Sequence, residues 1–202
     1  MADFKHIKSA LISVYHKDGL DDILSLLYHE GVKLLSTGGT HQFITSLGYP
    51  CQKVEEQTGY PSILGGRVKT LHPKVFGGIL ARQEFADDQA DMAKFAITPI
   101  DLVIVDLYPF EATVASGASE SEIIEKIDIG GISLIRAAAK NFRDVLIIPS
   151  KEQYATLKQL LLSHGANSTL AHRKALALQA FEVTRHYDTA IHEWFSQSDI
   201  NE

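Results

Sequence analysis

The stretch Asp101-Leu-Val-Ile-Val-Asp-Leu107 decides the fold. Its centre is apolar at every position rather than every second one, and Pro109 ends it. A strand of that kind is covered on both faces, as in a parallel sheet between helices. The flanking sequence repeats the theme. Ala10-Leu-Ile-Ser-Val14, Val32-Lys-Leu-Leu35, Gln52 to Glu55 and Asp144 to Ile148 read as further strands, the last ended by Pro149. After Asp18-Gly19, Leu20, Ile23, Leu24 and Leu27 recur at helical spacing until Gly31, and Gln42 to Leu47 reads as a second helix ended by Gly48. Strands alternating with helices imply βαβ crossovers. The prediction is a three-layer α/β/α domain with a mainly parallel sheet over about residues 1–150. Lys151 to His164 and Leu170 to Phe195 read as helices with no strand between them, so 151–202 is expected to be a helical C-terminal extension of the same domain.

Composition narrows the function. The 202 residues are 45% hydrophobic and 22% charged, which is ordinary for a globular chain with its own core. Cys51 is the only cysteine, which excludes a disulfide scaffold. No apolar run approaches the roughly 18 residues a membrane span requires. Met1 to Lys8 leads into too short an apolar stretch for a signal peptide, so the expected location is cytoplasmic. The net charge of −6 argues against a nucleic-acid binder. Charge is nevertheless segregated. Arg67, Lys69, Lys74 and Arg82 occupy a segment without acids, whereas Glu84 to Asp128 holds eleven acids against Lys94 and Lys126. That pattern suits a small anionic ligand.

Four segments carry candidate chemistry. Ser36-Thr37-Gly38-Gly39-Thr40 reads as a loop between strand and helix, where paired glycines let backbone N–H groups converge on an anion and Thr37 and Thr40 add hydroxyls. The plainer reading is a tight turn capped by Thr40. Gly65-Gly66-Arg67-Val68-Lys69-Thr70-Leu71-His72-Pro73, followed by Gly77-Gly78, reads as a basic segment able to fold over an anionic substrate. If it is extended, Arg67 and Lys69 project to one side. His72 is a candidate base, though a lone histidine is more often a structural hydrogen-bonder. Asp106-Leu107-Tyr108 lies where parallel sheets bind ligands, outside the carboxyl ends of the strands. Asp128-Ile129-Gly130-Gly131 leads into a helical stretch containing Arg136 and Lys140. Asp128 is a natural N-cap there, and Lys140 lies about three turns further on, so the two are not neighbours along one helix. Zinc spacings and a nucleophile elbow are absent from the sequence.

Taken together, Ser13-Val-Tyr-His-Lys-Asp-Gly-Leu20, Ser36 to Thr40, Gly65 to Pro73 with Gly77 to Arg82, Ile100 to Phe110, Ile127 to Asn141 and the tail segment Ala177 to Ile191 resemble the inosine monophosphate (IMP) cyclohydrolase domain of the bifunctional purine-biosynthesis enzyme. The resemblance covers nearly the whole chain. It implies a methylglyoxal-synthase-like fold, a homodimer, and dehydrative closure of 5-formamidoimidazole-4-carboxamide ribotide (FAICAR) to IMP without metal, folate or other cofactor. It also implies a catalytic group of Lys69, Tyr108, Asp128 and Lys140. Substrate contacts would come from Ser13, Lys17, Thr37, Gly38, Gly39, Thr40, Arg67, Thr70, Asp106, Gly130 and Gly131. Two departures stand out: Tyr15-His16 where the family usually has Ser-Asp, and Asp106 where it often has Asn. The family chain continues into a formyltransferase domain, so a separate formyltransferase is an expected partner. Two rivals remain at this level. One is a non-catalytic nucleotide-binding regulator of the same fold. The other is a methylglyoxal synthase, whose sugar-phosphate chemistry does not call for the Gly65 to Thr70 segment.

Overall fold

The computed structural model describes residues 4–197. In chain order the elements are β1 (Phe4–His6), β2 (Ser9–Val14), α1 (Leu20–His29), β3 (Lys33–Ser36), α2 (Gly38–Ser46), β4 (Cys51–Lys53), α3 (Val54–Thr58), α4 (Pro73–Leu80), α5 (Ala86–Lys94), β5 (Leu102–Asp106), α6 (Phe110–Ala115), α7 (Glu120–Ile124), α8 (Ile129–Lys140), β6 (Leu146–Ile148), α9 (Tyr154–His164), β7 (Asn167–Thr169) and α10 (Leu170–Gln197). A single 3₁₀ turn precedes α4 at Leu64–Gly66 and another precedes α9 at Lys151–Gln153.

The main sheet runs β4-β3-β2-β5-β6, and every pairing in it is parallel. All five residues of β5 are buried, as its unbroken apolar run requires. Leu20, Ile23, Leu24 and Leu27 form the buried stripe of α1, which packs beside α9. α8 lies against β5 and β6 and also contacts α4 and α10. The architecture is therefore the three-layer α/β/α arrangement with a parallel sheet, continued by C-terminal helices. Among the described residues no helix is long and apolar enough to cross a membrane.

Three sequence expectations need correction. The tail is not purely helical: β7 separates α9 from α10 and pairs antiparallel with β1, Phe4 facing Thr169 and His6 facing Asn167. These strands are three residues long, too short for any periodicity to show. Gln52 to Glu55 is not one strand, because α3 begins at Val54. The Gly77-Gly78 pair lies inside α4 rather than in a substrate-covering loop. A Cβ on Gly78 would stand 2.5 Å from the carbonyl oxygen of Thr98, and one on Gly77 2.9 Å from Ile97. The pair lets α4 press against the segment leading into β5.

A second, smaller core joins the C-terminal helix to the loops around β5. Phe110, Ile123 and Tyr187 are buried there, with Leu107, Ile127 and Trp194 packed against them. The rings of Phe110 and Tyr187 meet edge-on, with centroids 6.2 Å apart.

Candidate active site

A cleft of about 710 Å³ opens at the carboxyl ends of the central strands. β2 brings Ser13 and Lys17 to it, β3 brings Thr37, and β5 brings Asp106 and Tyr108. The turn before α4 adds Arg67, Lys69 and Thr70, and the entry to α8 adds Asp128, Gly130 and Gly131. This is where ligands bind in open parallel sheets.

The Ser36 to Thr40 segment is shorter as a loop than its sequence suggests, because α2 already begins at Gly38 with Thr37 at the N-cap position. Gly38 takes φ +54°, a left-handed value suited to glycine. The first N–H groups of α2 have no partner inside the helix and sit beside the cleft. A Cβ on Gly38 would lie 3.9 Å from Lys69 Nζ, so the ammonium stands at the mouth of this helix. The two threonine hydroxyls have other engagements. Thr37 donates to Glu55 Oε1 at 2.9 Å. Thr40, not the cap, donates to the Val14 carbonyl at 2.9 Å and accepts from the Val14 N–H at 3.2 Å, tying α2 to the end of β2.

The basic segment reaches the cleft by a turn rather than as an extended strand. The backbone N–H of Ile63 donates to the Val68 carbonyl, closing a loop in which Gly65 and Gly66 take φ +66° and +93°. Arg67 and Lys69 both line the cleft, and Arg67 pairs with Glu125 across its rim. His72 is a structural hydrogen-bonder: its Nδ1 accepts from the Lys74 N–H at 3.1 Å and caps α4. Thr70 is buried against the α8 entry, where a Cβ on Gly130 would lie 3.1 Å from its hydroxyl.

Asp128 is both the N-cap of α8, accepting from the Gly131 N–H at 2.7 Å, and a wall of the cleft. Burial pushes its carboxyl above the usual range, while the N–H of Gly131, the ammonium of Lys69 and the N–H groups of Tyr108 and Gly130 pull the other way. Lys17 is held below the ordinary lysine value by burial, with Asp106 opposing the shift and Lys69 adding to it. Its ammonium donates to the carbonyls of Val14 at 2.8 Å and Tyr15 at 2.7 Å. Asp106 accepts at Oδ2 from the His16 N–H at 2.8 Å, and His16 Nδ1 approaches the same oxygen to 2.7 Å.

Lys69, Tyr108 and Asp128 thus share one cleft. Lys140 does not join them. It is exposed at the last position of α8, about 18 Å along the helix from Asp128. Several cleft residues carry no sequence signal. Lys126 Nζ stands 5.4 Å from the Tyr15 ring and 5.9 Å from the Tyr108 ring, and those two rings meet edge-on at 5.7 Å. Glu125 on the rim and Glu55 behind Thr37 are equally unannounced, since each matters only through the partner that the fold brings to it. Among the described residues no group of three or more His, Cys, Asp or Glu could hold a metal ion. Cys51, away from the cleft, has its thiol raised to about 11 by burial and then by Glu56.

Comparison with known proteins identifies the family and the fold. The family model described as MGS-like domain matches residues 19–133, and the one described as AICARFT/IMPCHase bienzyme matches residues 138–202. A bifunctional purine biosynthesis protein PurH from Bacteroides thetaiotaomicron is 63% identical over 199 residues, covering 98% of this chain and 39% of that protein. Its counterpart from Thermosynechococcus vestitus is 49% identical over 192 residues, covering 94% and 37%. The chain therefore spans about two fifths of the length of the curated relatives it matches. A solved structure titled "Crystal structure of ForH" superposes with a TM-score of 0.76 at 33% identity, covering 95% of this chain and 99% of that one. The chain belongs to the MGS-like domain family, with about its C-terminal third continuing into the AICARFT/IMPCHase bienzyme pattern.

Proposed function

We propose that this chain is an IMP cyclohydrolase, closing FAICAR to IMP with loss of water. The observation that carries the reading is the meeting of Lys69, Tyr108 and the part-buried carboxyl of Asp128 in a cleft that also receives the amino end of α2. The ribotide phosphate sits against the α2 N–H groups of Gly38, Gly39 and Thr40, with Lys17, Ser13 and Thr70 beside it. Anchoring at this remote group is what holds the carboxamide nitrogen against the formyl carbon.

In the chemical step the carboxamide nitrogen forms a bond to the formyl carbon and loses a proton, while the formyl oxygen becomes an alkoxide and then a hydroxyl. The hydroxyl of this cyclic intermediate then takes up a proton and leaves as water, while the former formamide nitrogen gives up its N–H proton and the C=N bond of the new ring forms. The nitrogen is a poor nucleophile, so the proton acceptor matters. Asp128 has a carboxyl more basic than usual, which suits it to that role. Lys69 and Tyr108 stabilise the oxyanion and assist the departing hydroxyl. Thr37 and Thr40 contribute through backbone N–H groups, because their hydroxyls are already engaged. Arg67, Gly130 and Gly131 line the remainder of the cleft.

The proposal extends to a homodimer in which Lys140, exposed and far from Asp128 of its own chain, serves a second copy's cleft. The substrate comes from a formyl-transfer reaction, so a formyltransferase, linked or separate, is the expected partner. Turnover of FAICAR against dihydroxyacetone phosphate tests the reaction class: ring closure with the first and no methylglyoxal from the second is expected, and the reverse would move the assignment to phosphate elimination.

A further inference from the structure

Tyr187 lies on α10, in the segment beyond the parallel sheet, and is only 6% exposed. Its hydroxyl donates to the Lys126 carbonyl at 2.6 Å and accepts from the Asp128 N–H at 2.9 Å. A phenol has one proton to give, and here both its donor and acceptor roles go to the backbone of a single three-residue segment. Burial pushes the phenol up to about 12, so the proton stays on the oxygen and the donor role is permanent at neutral pH. The ring is fixed in turn by Phe110 within the second core.

That segment carries two cleft residues. The Lys126 side chain stands over the Tyr15 and Tyr108 rings, and the Asp128 carboxylate faces the cleft while capping α8. We propose that Tyr187 is a positioning residue for the reaction: through its hydroxyl, α10 sets the backbone of Lys126 to Asp128 and hence the place of the Asp128 carboxylate. This rests on the cyclohydrolase reading for its catalytic consequence, though not for the clamp itself. Without the hydroxyl, a part-buried N–H and carbonyl lose their partner, and the segment must shift to find another. Displacement of a reacting group by about an ångström is enough to cost large factors in rate.

The test is Tyr187→Phe in the full chain, beside Ala180→Gly, which loosens the same helix without touching the hydroxyl. Amide hydrogen exchange is read over residues 126–131, and kcat and KM are read with FAICAR. Tyr187→Phe is expected to speed exchange at Asp128 and lower kcat about tenfold with KM within about twofold, while Ala180→Gly changes neither. Unchanged exchange at Asp128 in Tyr187→Phe would overturn the clamp. So would an equal rise in exchange, or an equal loss of kcat, in Ala180→Gly. If faster exchange leaves kcat intact in an active parent, the positioning role is overturned. A parent that does not turn over FAICAR removes the cyclohydrolase reading and with it the positioning role, while exchange still decides the clamp.

Discussion

His16 Nδ1 lies 2.7 Å from Asp106 Oδ2, and the His16 backbone N–H reaches the same oxygen at 2.8 Å. His16 and Asp106, two of the three positions expected from the sequence to depart from the family pattern, therefore touch each other. Asp106 puts a carboxylate on the wall of a cleft proposed to hold a phosphorylated ligand, and His16 supplies a donor that partly offsets it. A hydrogen bond to a charged group contributes about 1.5–3 kcal/mol. His16→Ala is expected to raise the KM for FAICAR several-fold. Adding Asp106→Asn to His16→Ala should return KM toward the parent, a coupling that a double-mutant cycle measures directly.

Asp128→Asn separates the cap from the chemistry. Asparagine caps a helix about as well as aspartate, so α8 stays intact. Turnover is expected to fall by about 10²-fold or more, the range for loss of a general base. Stability moves the other way. The carboxyl is raised in the folded state, so its charged form is disfavoured there, and the parent loses stability as pH rises from the unfolded value through the raised folded one. Thermal melting across that range should show Asp128→Asn gaining on the parent as pH rises. In the parent, kcat should fall as pH drops through the raised value, because the base must be ionised.

Thr40→Val should act on both fold and binding, because its hydroxyl joins α2 to the end of β2 and the residue lines the cleft. Loss of two buried hydrogen bonds predicts a stability loss of about 1–3 kcal/mol by denaturant titration. Thr37→Val breaks only the contact to Glu55 and should cost less stability.

Lys140→Ala is expected to lose turnover through a neighbouring copy's cleft. Mixed with Asp128→Asn and allowed to exchange subunits, it should regain about a quarter of parental activity. That is the random-pairing yield of one intact site per mixed dimer. Absence of any recovery would remove Lys140 from the second copy's site.

How far the sequence was legible depended on how local each signal was. The unbroken apolar run of β5 and the four-residue stripe of α1 announce themselves, because burial on both faces or on one stripe leaves a periodic trace. β1 and β7 leave none: each is three residues long and they pair across the whole domain. Asp128 is readable as a helix cap and also turns out to line the cleft. Its clamp, Tyr187, is 59 residues away; it lies in the tail segment that resembles the family, but nothing in that segment ties it to Asp128. Lys126 shares that character, being set by which rings the loops bring near it, and His16, though set apart in the sequence, shows its tie to Asp106 only in the fold.

The central claim is ring closure in this cleft. Its most direct measurement is a folate-free ultraviolet assay of the purified chain with FAICAR, run beside Asp128→Asn. The account predicts that IMP accumulates with the parent and at least about a hundredfold more slowly with Asp128→Asn. A parent that binds IMP but forms none from FAICAR would contradict it and leave a nucleotide-binding regulator in its place.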